Sequence, residues 1–289
     1  MAIHRIAARP VPALRNPRRT DVQINILGPL EAYVGHRSIV PSATTPSKVL
    51  ALLLANANHV VPISKLKLEI WDENPPASAS TTLQTYILQL RKLLAAAYAD
   101  RPGEAKEILV TRPNGYMFRT APGELDVERY AQLARAGNEN LIAGDVSLAA
   151  EQLGDALAQW RGTALADVEL GQLLHAHVIR LKESRLHTIE RRIEAELQLG
   201  NHRLLLSELA VLVVEEPFNE NIRAQFMLAL YRSGRRTEAL ETFRALRSTL
   251  IEEIGLEPSP RMYRLQQAML TADPSLEMIA TPVNTLVAA

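Results

Sequence analysis

Cysteine is absent from all 289 residues, which excludes disulfides and thiolate metal sites and fits a reducing compartment. Long apolar runs are missing too. The longest, VLALLLANA over 49–57, falls well short of the roughly 18 residues that a membrane helix needs. The N-terminal end holds arginines but no long apolar segment, so no secretory signal is expected. Neither GxxxxGK(S/T) nor GxSxG occurs, so phosphate-loop and serine-nucleophile enzymes lose their usual signatures. HAH, with His175 and His177, is two residues apart on an expected helix, so its rings point to different sides and make a poor metal pair. No cofactor, no metal and no enzymatic activity are expected. What remains is a globular composition, 47% hydrophobic and 22% charged, long enough for about two domains.

The zero net charge hides a split. Residues 1–120 carry 15 Lys+Arg against 8 Asp+Glu, and residues 121–289 carry 17 against 24. A basic half beside an acidic half points to two domains with different partners, the basic one facing a polyanion.

The pattern along the chain divides the same way. Residues 1–21 hold five arginines and three prolines and are expected to be a flexible basic arm. VQINILG and EAYVGHRSIV, between 22 and 40, read as short strands. SKVLALLLANANHVV then takes helical spacing with Ser47 as its cap, and PISKLKLEIWDENPP gives a second helix capped by Ser64. ASASTTLQTYILQLRKLL is the third. ADRPGEAKE, 99–107, is expected to be a loop, and ILVTRPNGYMFRT a hairpin turning at Pro-Asn-Gly. Beyond a boundary near 120–126 the periodicity is helical. Gly144, Gly200 and Gly234 open three segments that echo one another. The second and third lie 34 residues apart, the tetratricopeptide period, with an insertion required between the first two. Such stacked hairpins mainly hold other proteins. Residues 273–289 have no clear period and are expected to form a disordered tail.

Strands, three helices and a hairpin make a winged helix-turn-helix, and the third helix has the residues for the reading role. Leu83, Ile87, Leu90 and Leu94 form a packing stripe. Thr81, Thr82, Thr85, Gln89, Arg91 and Lys92 supply hydroxyls, an amide and cations elsewhere, and TTLQTYILQLRKLL contains no acid. A groove face needs hydrogen-bonding groups for base edges and cations for phosphates, and carboxylates would be repelled there. Arg112, beside the hairpin turn, is placed to enter a minor groove. For the helix face the competing interpretation is a merely solvated polar surface; for the whole chain it is a helical-repeat adaptor for a peptide or small-molecule signal, with only incidental DNA affinity.

The sequence resembles the Streptomyces antibiotic regulatory protein family. The cues are ILGPLEAYVG, PSKVLALLLANANHVV, QLRKLL, TRPNGYMF, ELDVERYAQLARAG, ALAQWRGTALADV and EEPFNENIRAQFMLALYRSGRRTEALETFRALRSTLIEEIGLEPSP, covering roughly 22–272. The resemblance implies a mostly α protein. A response-regulator-type winged helix over 22–120 would precede an all-α, tetratricopeptide-like bacterial transcriptional activation domain over 121–272. It further implies a cytoplasmic, nucleoid-associated activator of antibiotic biosynthesis genes, binding direct repeats in double-stranded promoter DNA near the −35 region as a homodimer. RNA polymerase holoenzyme would be the second partner, and no membrane is involved. Carried over by position, Thr85, Gln89 and Arg91 are implied as base or backbone contacts, Lys92 as a phosphate contact and Arg112 as a minor-groove contact. Trp71, Asp72 and Glu73 are implied, more weakly, as polymerase contacts.

Overall fold

A computed structural model describes residues 22–99 and 102–277, so the expected basic arm and the end of the expected tail lie outside the described residues. The chain divides into two units. The first contains residues 22–26, 30–125 and 168–171, and the second 27–29, 126–167 and 172–277.

The first unit opens with a three-stranded antiparallel sheet, β1 (Val22–Asn25), β2 (Glu31–Val34) and β3 (Arg37–Ser38), in that order. The register pairs Val22 with Val34 and Val34 with Arg37. α1 (Thr44–Ala55), β4 (Val61–Pro62), α2 (Ile63–Trp71) and α3 (Ala79–Ala97) follow. α4 (Pro102–Ile108), β5 (Leu109–Arg112) and β6 (Gly115–Phe118) complete it, the last strands forming a second sheet of order β4-β6-β5. The core is built by Val49, Leu53 and Leu54 of α1, Leu66 of α2, the α3 stripe Leu83, Ile87, Leu90 and Leu94, and Phe118, all essentially buried. Each such side chain contributes about 1.5–3 kcal/mol of apolar burial.

Three local expectations need correction. α1 begins at Thr44, and Ser47 does not cap it: its hydroxyl donates to Pro41 O at 2.7 Å, tying down the preceding loop. Ser64 does not cap α2 either, because Pro62 is the boundary residue and Ser64 lies inside the helix. The expected loop at 99–107 contains helix α4. Pro-Gly reads as a breaker, yet proline suits the first turn of a helix, where its missing N–H is no loss. Glu104 in the first turn and Lys106 in the last suit the helix dipole, and Ala105 and Ile108 are buried under it.

The second unit is helical: α5 (Asp126–Ala143), α6 (Val146–Leu157), α7 (Gln172–Gln198), α8 (Leu206–Glu215), α9 (Glu220–Arg232), α10 (Arg236–Ile254) and α11 (Pro260–Thr271). The three echoed glycines are three copies of one turn. Gly144, Gly200 and Gly234 all have left-handed φ, at 87°, 80° and 79°. Each glycine N–H reaches the carbonyl three residues back, and the next N–H reaches five back: Gly144 to Leu141 and Asp145 to Asn140, Gly200 to Leu197 and Asn201 to Glu196, Gly234 to Tyr231 and Arg235 to Leu230. This is the Schellman ending, for which glycine is the strain-free residue. Five and nine residues past each glycine the side chains are buried: Ala149, Leu205 and Ala239, then Leu153, Leu209 and Phe243. The extra length between the first two copies comes from the longer non-helical connection 158–171 and from a longer second helix, the 27-residue α7 where the next copy has the 13-residue α9.

Two further differences concern the ends of the units. Leu27 is fully buried with Tyr130, Ala156, Ala164 and Leu181, which is why 27–29 belong to the helical unit. Residues 168–171 belong to the first unit, where Lys48 Nζ pairs with Glu169 at 3.2 Å and Gly171 N–H donates to buried Glu69 at 2.7 Å. The first residues of the expected tail are structured. Pro274–Glu277 form a 3-10 turn with Leu276 fully buried, and Arg232 Nε donates to Leu276 O at 2.8 Å.

Candidate nucleic-acid interface

α3 is a 19-residue helix whose two sides differ in kind. Leu83, Ile87, Leu90 and Leu94 are buried at 1–2% exposure, as their spacing predicts. Thr81, Gln84, Thr85, Leu88, Arg91 and Lys92 are exposed. No carboxylate interrupts them. Thr82 and Gln89 are half-buried at the margin of this face. The face is therefore centred about one residue away from the expected one: Gln84 and Leu88 stand where the sequence pattern suggested Gln89. The signal for this lay in the core stripe itself, since the side opposite 83, 87, 90 and 94 passes through 81, 85, 88 and 92.

The polar groups on this face are partly committed. Thr85 Oγ1 donates to Thr81 O at 3.1 Å, one turn back. Arg91 Nη2 donates to Thr111 Oγ1 at 2.7 Å and reaches Leu109 O at 3.4 Å. Arg91 thus ties the C-terminal half of α3 to strand β5, and a contact to bases must share its guanidinium with that tie. Lys92 is exposed. Lys67 Nζ of α2 donates to Ser80 Oγ at 2.8 Å, bracing the first turn of α3.

The wing differs from an Asn-Gly hairpin in its turn. Arg112 pairs with Gly115, so Pro113 and Asn114 are the loop residues. Asn114 carries the left-handed φ of 61°. Proline with negative φ followed by a left-handed residue resembles a type II turn, not the type I′ turn of an Asn-Gly loop. Gly115 instead opens β6, where a Cβ would stand 2.4 Å from Val61 O. Ile63 N–H donates to Asn114 O at 2.8 Å, so the wing turn satisfies one of the free donors at the start of α2. Arg112 and Pro113 are exposed at the tip, while Tyr116 and Phe118 are buried in the strand, which runs against α1. Trp71 is half-buried, and Asp72 and Glu73 are exposed in the connection from α2 to α3. Asp72 has φ 51° and its N–H closes the end of α2 on Leu68 O.

Charge on this unit is modest. Residues 22–120 carry 10 Lys+Arg and 7 Asp+Glu, so most of the basic excess of the N-terminal half belongs to the first 20 residues. The cations at Arg91, Lys92 and Arg112 matter by position more than by number.

In the helical unit, His177 is half-buried and accepts from Arg180 Nη2 through Nδ1 at 2.8 Å. Among the described residues no cluster of three or more His, Asp or Glu is arranged to hold a metal. Burial, and secondarily the Arg180 charge, lowers the His177 pKa to about 4. The folded ring therefore stays neutral where an unfolded one, with a pKa near 6.5, takes up a proton. Stability contributed by the neutral ring is complete above about pH 6.5 and lost as the pH falls from there toward 4. A His177→Gln variant is expected to show a shallower acid decline of the melting temperature across that window. An unchanged pH profile would show that His177 does not drive the decline.

A carboxylate-free exposed helix face braced by a cation-tipped hairpin, followed by a helical-repeat unit, defines a winged-helix DNA-binding regulator. Comparisons with known proteins agree. Residues 39–118 match the model described as "Transcriptional regulatory protein, C terminal", and residues 125–270 match "Bacterial transcriptional activator domain". Regulatory protein DnrI of Streptomyces peucetius is 46% identical over 257 residues, 89% of this chain and 94% of that protein. Regulatory protein AfsR of Streptomyces coelicolor is 35% identical over 92% of this chain, which spans only 26% of AfsR. A solved structure of Mycobacterium tuberculosis EmbR, in complex with a low-affinity phosphopeptide, superposes with a TM-score of 0.81 at 30% identity, over 90% of this chain and 69% of that one. The chain belongs to the Streptomyces antibiotic regulatory protein family of transcriptional regulators.

Proposed function

We propose that this protein activates antibiotic-biosynthesis genes by binding direct repeats near the −35 region as a homodimer and recruiting RNA polymerase holoenzyme. The observation that carries the reading is the carboxylate-free exposed stripe of α3, since a merely solvated face has no reason to exclude acids. In this reading α3 enters the major groove, with Thr81, Thr82, Thr85, Gln89 and Arg91 at bases or backbone and Lys92 on a phosphate. Arg112 on the wing reaches the minor groove. Trp71, Asp72 and Glu73, at the end of α2 and the start of its connection to α3, face the polymerase.

The test is selection of bound sequences from random duplexes, followed by anisotropy titration of the best site across salt. A direct repeat spaced by about one helical turn with a steep salt slope is the expected result. Lys92→Ala should weaken all sequences alike and reduce the slope by about one, whereas Gln89→Ala should relax preference at one position by about 1–3 kcal/mol. An unchanged slope for Lys92→Ala would remove its phosphate role. The adaptor reading draws on exposed apolar side chains in the helical unit, Leu204 at 81% and Val214 at 78%. It requires weak, salt-insensitive DNA binding and no recovered motif.

A further inference from the structure

Leu88 is 53% exposed on α3. A lone exposed leucine is ordinary on a protein surface and by itself means nothing. Its setting is not ordinary. It stands at the centre of the stripe Thr81, Thr85, Leu88 and Lys92, one turn from Gln84 and from Arg91. Every other large side chain there is polar or cationic. Thr85 Oγ1 has already given its proton to Thr81 O, so toward an outside partner it offers lone pairs and a methyl group. The Thr85 methyl and the Leu88 isobutyl group are neighbours at i and i+3, a small apolar patch inside a polar face.

Resting on the reading of α3 as the helix that enters the major groove, we propose that Leu88, with the Thr85 methyl beside it, recognises the C5 methyl of a thymine. That methyl is the one apolar group that the major groove of ordinary DNA presents. Against a phosphate or a polar base edge, a leucine would strip hydration and return nothing. Against the thymine methyl it removes apolar surface from water on both sides. The patch therefore selects thymine at one position of each half-site, and it does so through a group that no hydrogen bond reports.

The experiment replaces each thymine of the selected operator, one at a time, with deoxyuridine, which deletes only the methyl. Binding is measured for the wild-type protein, Leu88→Ala and Leu88→Met. At one thymine per half-site, deoxyuridine should weaken the wild type about fourfold, the equivalent of one buried methyl at about 0.8 kcal/mol. Leu88→Ala should lose most of that sensitivity, while Leu88→Met, still apolar, should keep it. Equal sensitivity to every substitution in wild type and Leu88→Ala overturns the assignment, as does a half-site with no thymine. Binding unaffected by Leu88→Ala does the same and leaves Leu88 as a contact for protein. Failure of the wild type to select any duplex brings down the underlying reading of α3 and this inference with it, and is recognised before any deoxyuridine is used.

Discussion

Gly115→Ala is expected to cost about 3 kcal/mol in the first unit, although it adds one methyl group to a surface hairpin. The added Cβ would stand 2.4 Å from Val61 O and 2.8 Å from Val60 Cγ1. The nearer atom is backbone, so no rotamer change relieves the clash, and overpacking of this kind typically costs 1–3 kcal/mol. β4 cannot yield cheaply. It is two residues long, pairs with β6 through Val61–Tyr116 and Pro62–Gly115, and leads directly into α2. Displacing β6 also pulls Asn114 O away from Ile63 N–H and uncaps α2, worth about another 1 kcal/mol. Function should follow. Arg112 and the Arg91–Thr111 tie both sit on the displaced hairpin, so affinity for the selected duplex should fall about tenfold or more. The check is hydrogen exchange at the Tyr116 and Phe118 amides with DNA titration on the same sample. Native protection with native affinity would mean that the hairpin accommodates the methyl, and that the close approach of β4 is not what requires glycine.

The same glycine illustrates what was legible in the sequence. TRPNGYMF announced a hairpin, but local turn preferences assigned the glycine to the loop. Its actual reason is a strand some 50 residues earlier, which no local pattern contains. The α3 core was fully legible, because Leu83, Ile87, Leu90 and Leu94 repeat at the helical period and burial requires that repeat. The exposed face of α3 is legible in its chemistry, an absence of acids, while its centre lies about one residue from the polar pattern because an apolar residue, Leu88, occupies it. α4 was hidden by Pro-Gly, whose usual breaking role gives way to the buried anchors Ala105 and Ile108. In the helical unit the glycine echo was legible because each copy satisfies the same orphaned carbonyls. The chain exchanges at 27–29 and 168–171 were not legible. They depend on single long-range bonds, such as Leu27 N–H to buried Asp126 Oδ2 at 2.8 Å and Leu165 N–H to Gly28 O at 2.7 Å.

The helical unit should be most sensitive at Tyr130. Its ring, 2% exposed on α5, meets Trp160 edge-on at 5.5 Å and 87°, and the Arg185 guanidinium lies 4.9 Å over the other aromatic system. The hydroxyl lies 2.8 Å from Thr188 Oγ1 and 3.0 Å from Ser184 Oγ, both on α7. Proton bookkeeping orders these bonds. Thr188 gives its one proton to Ser184 O at 3.0 Å, so it can only accept from Tyr130, and Ser184 is left to donate to the Tyr130 oxygen. Tyr130→Phe therefore keeps the ring and strands Thr188, itself 3% exposed, without its donor, for about 1–2 kcal/mol. Tyr130→Ala removes the ring as well and should cost about 3–5 kcal/mol, lowering the melting point of this unit by roughly 10 °C. The two tryptophans fall one in each unit, Trp71 and Trp160, so in a Trp71→Phe background the emission of Trp160 follows the helical unit alone. Equal losses from Tyr130→Phe and Tyr130→Ala would mean that the aromatic packing contributes nothing and that the hydroxyl relay alone joins α5 to α7. The expected gap of about 2 kcal/mol or more between them assigns that join to the ring, with the relay fixing its orientation.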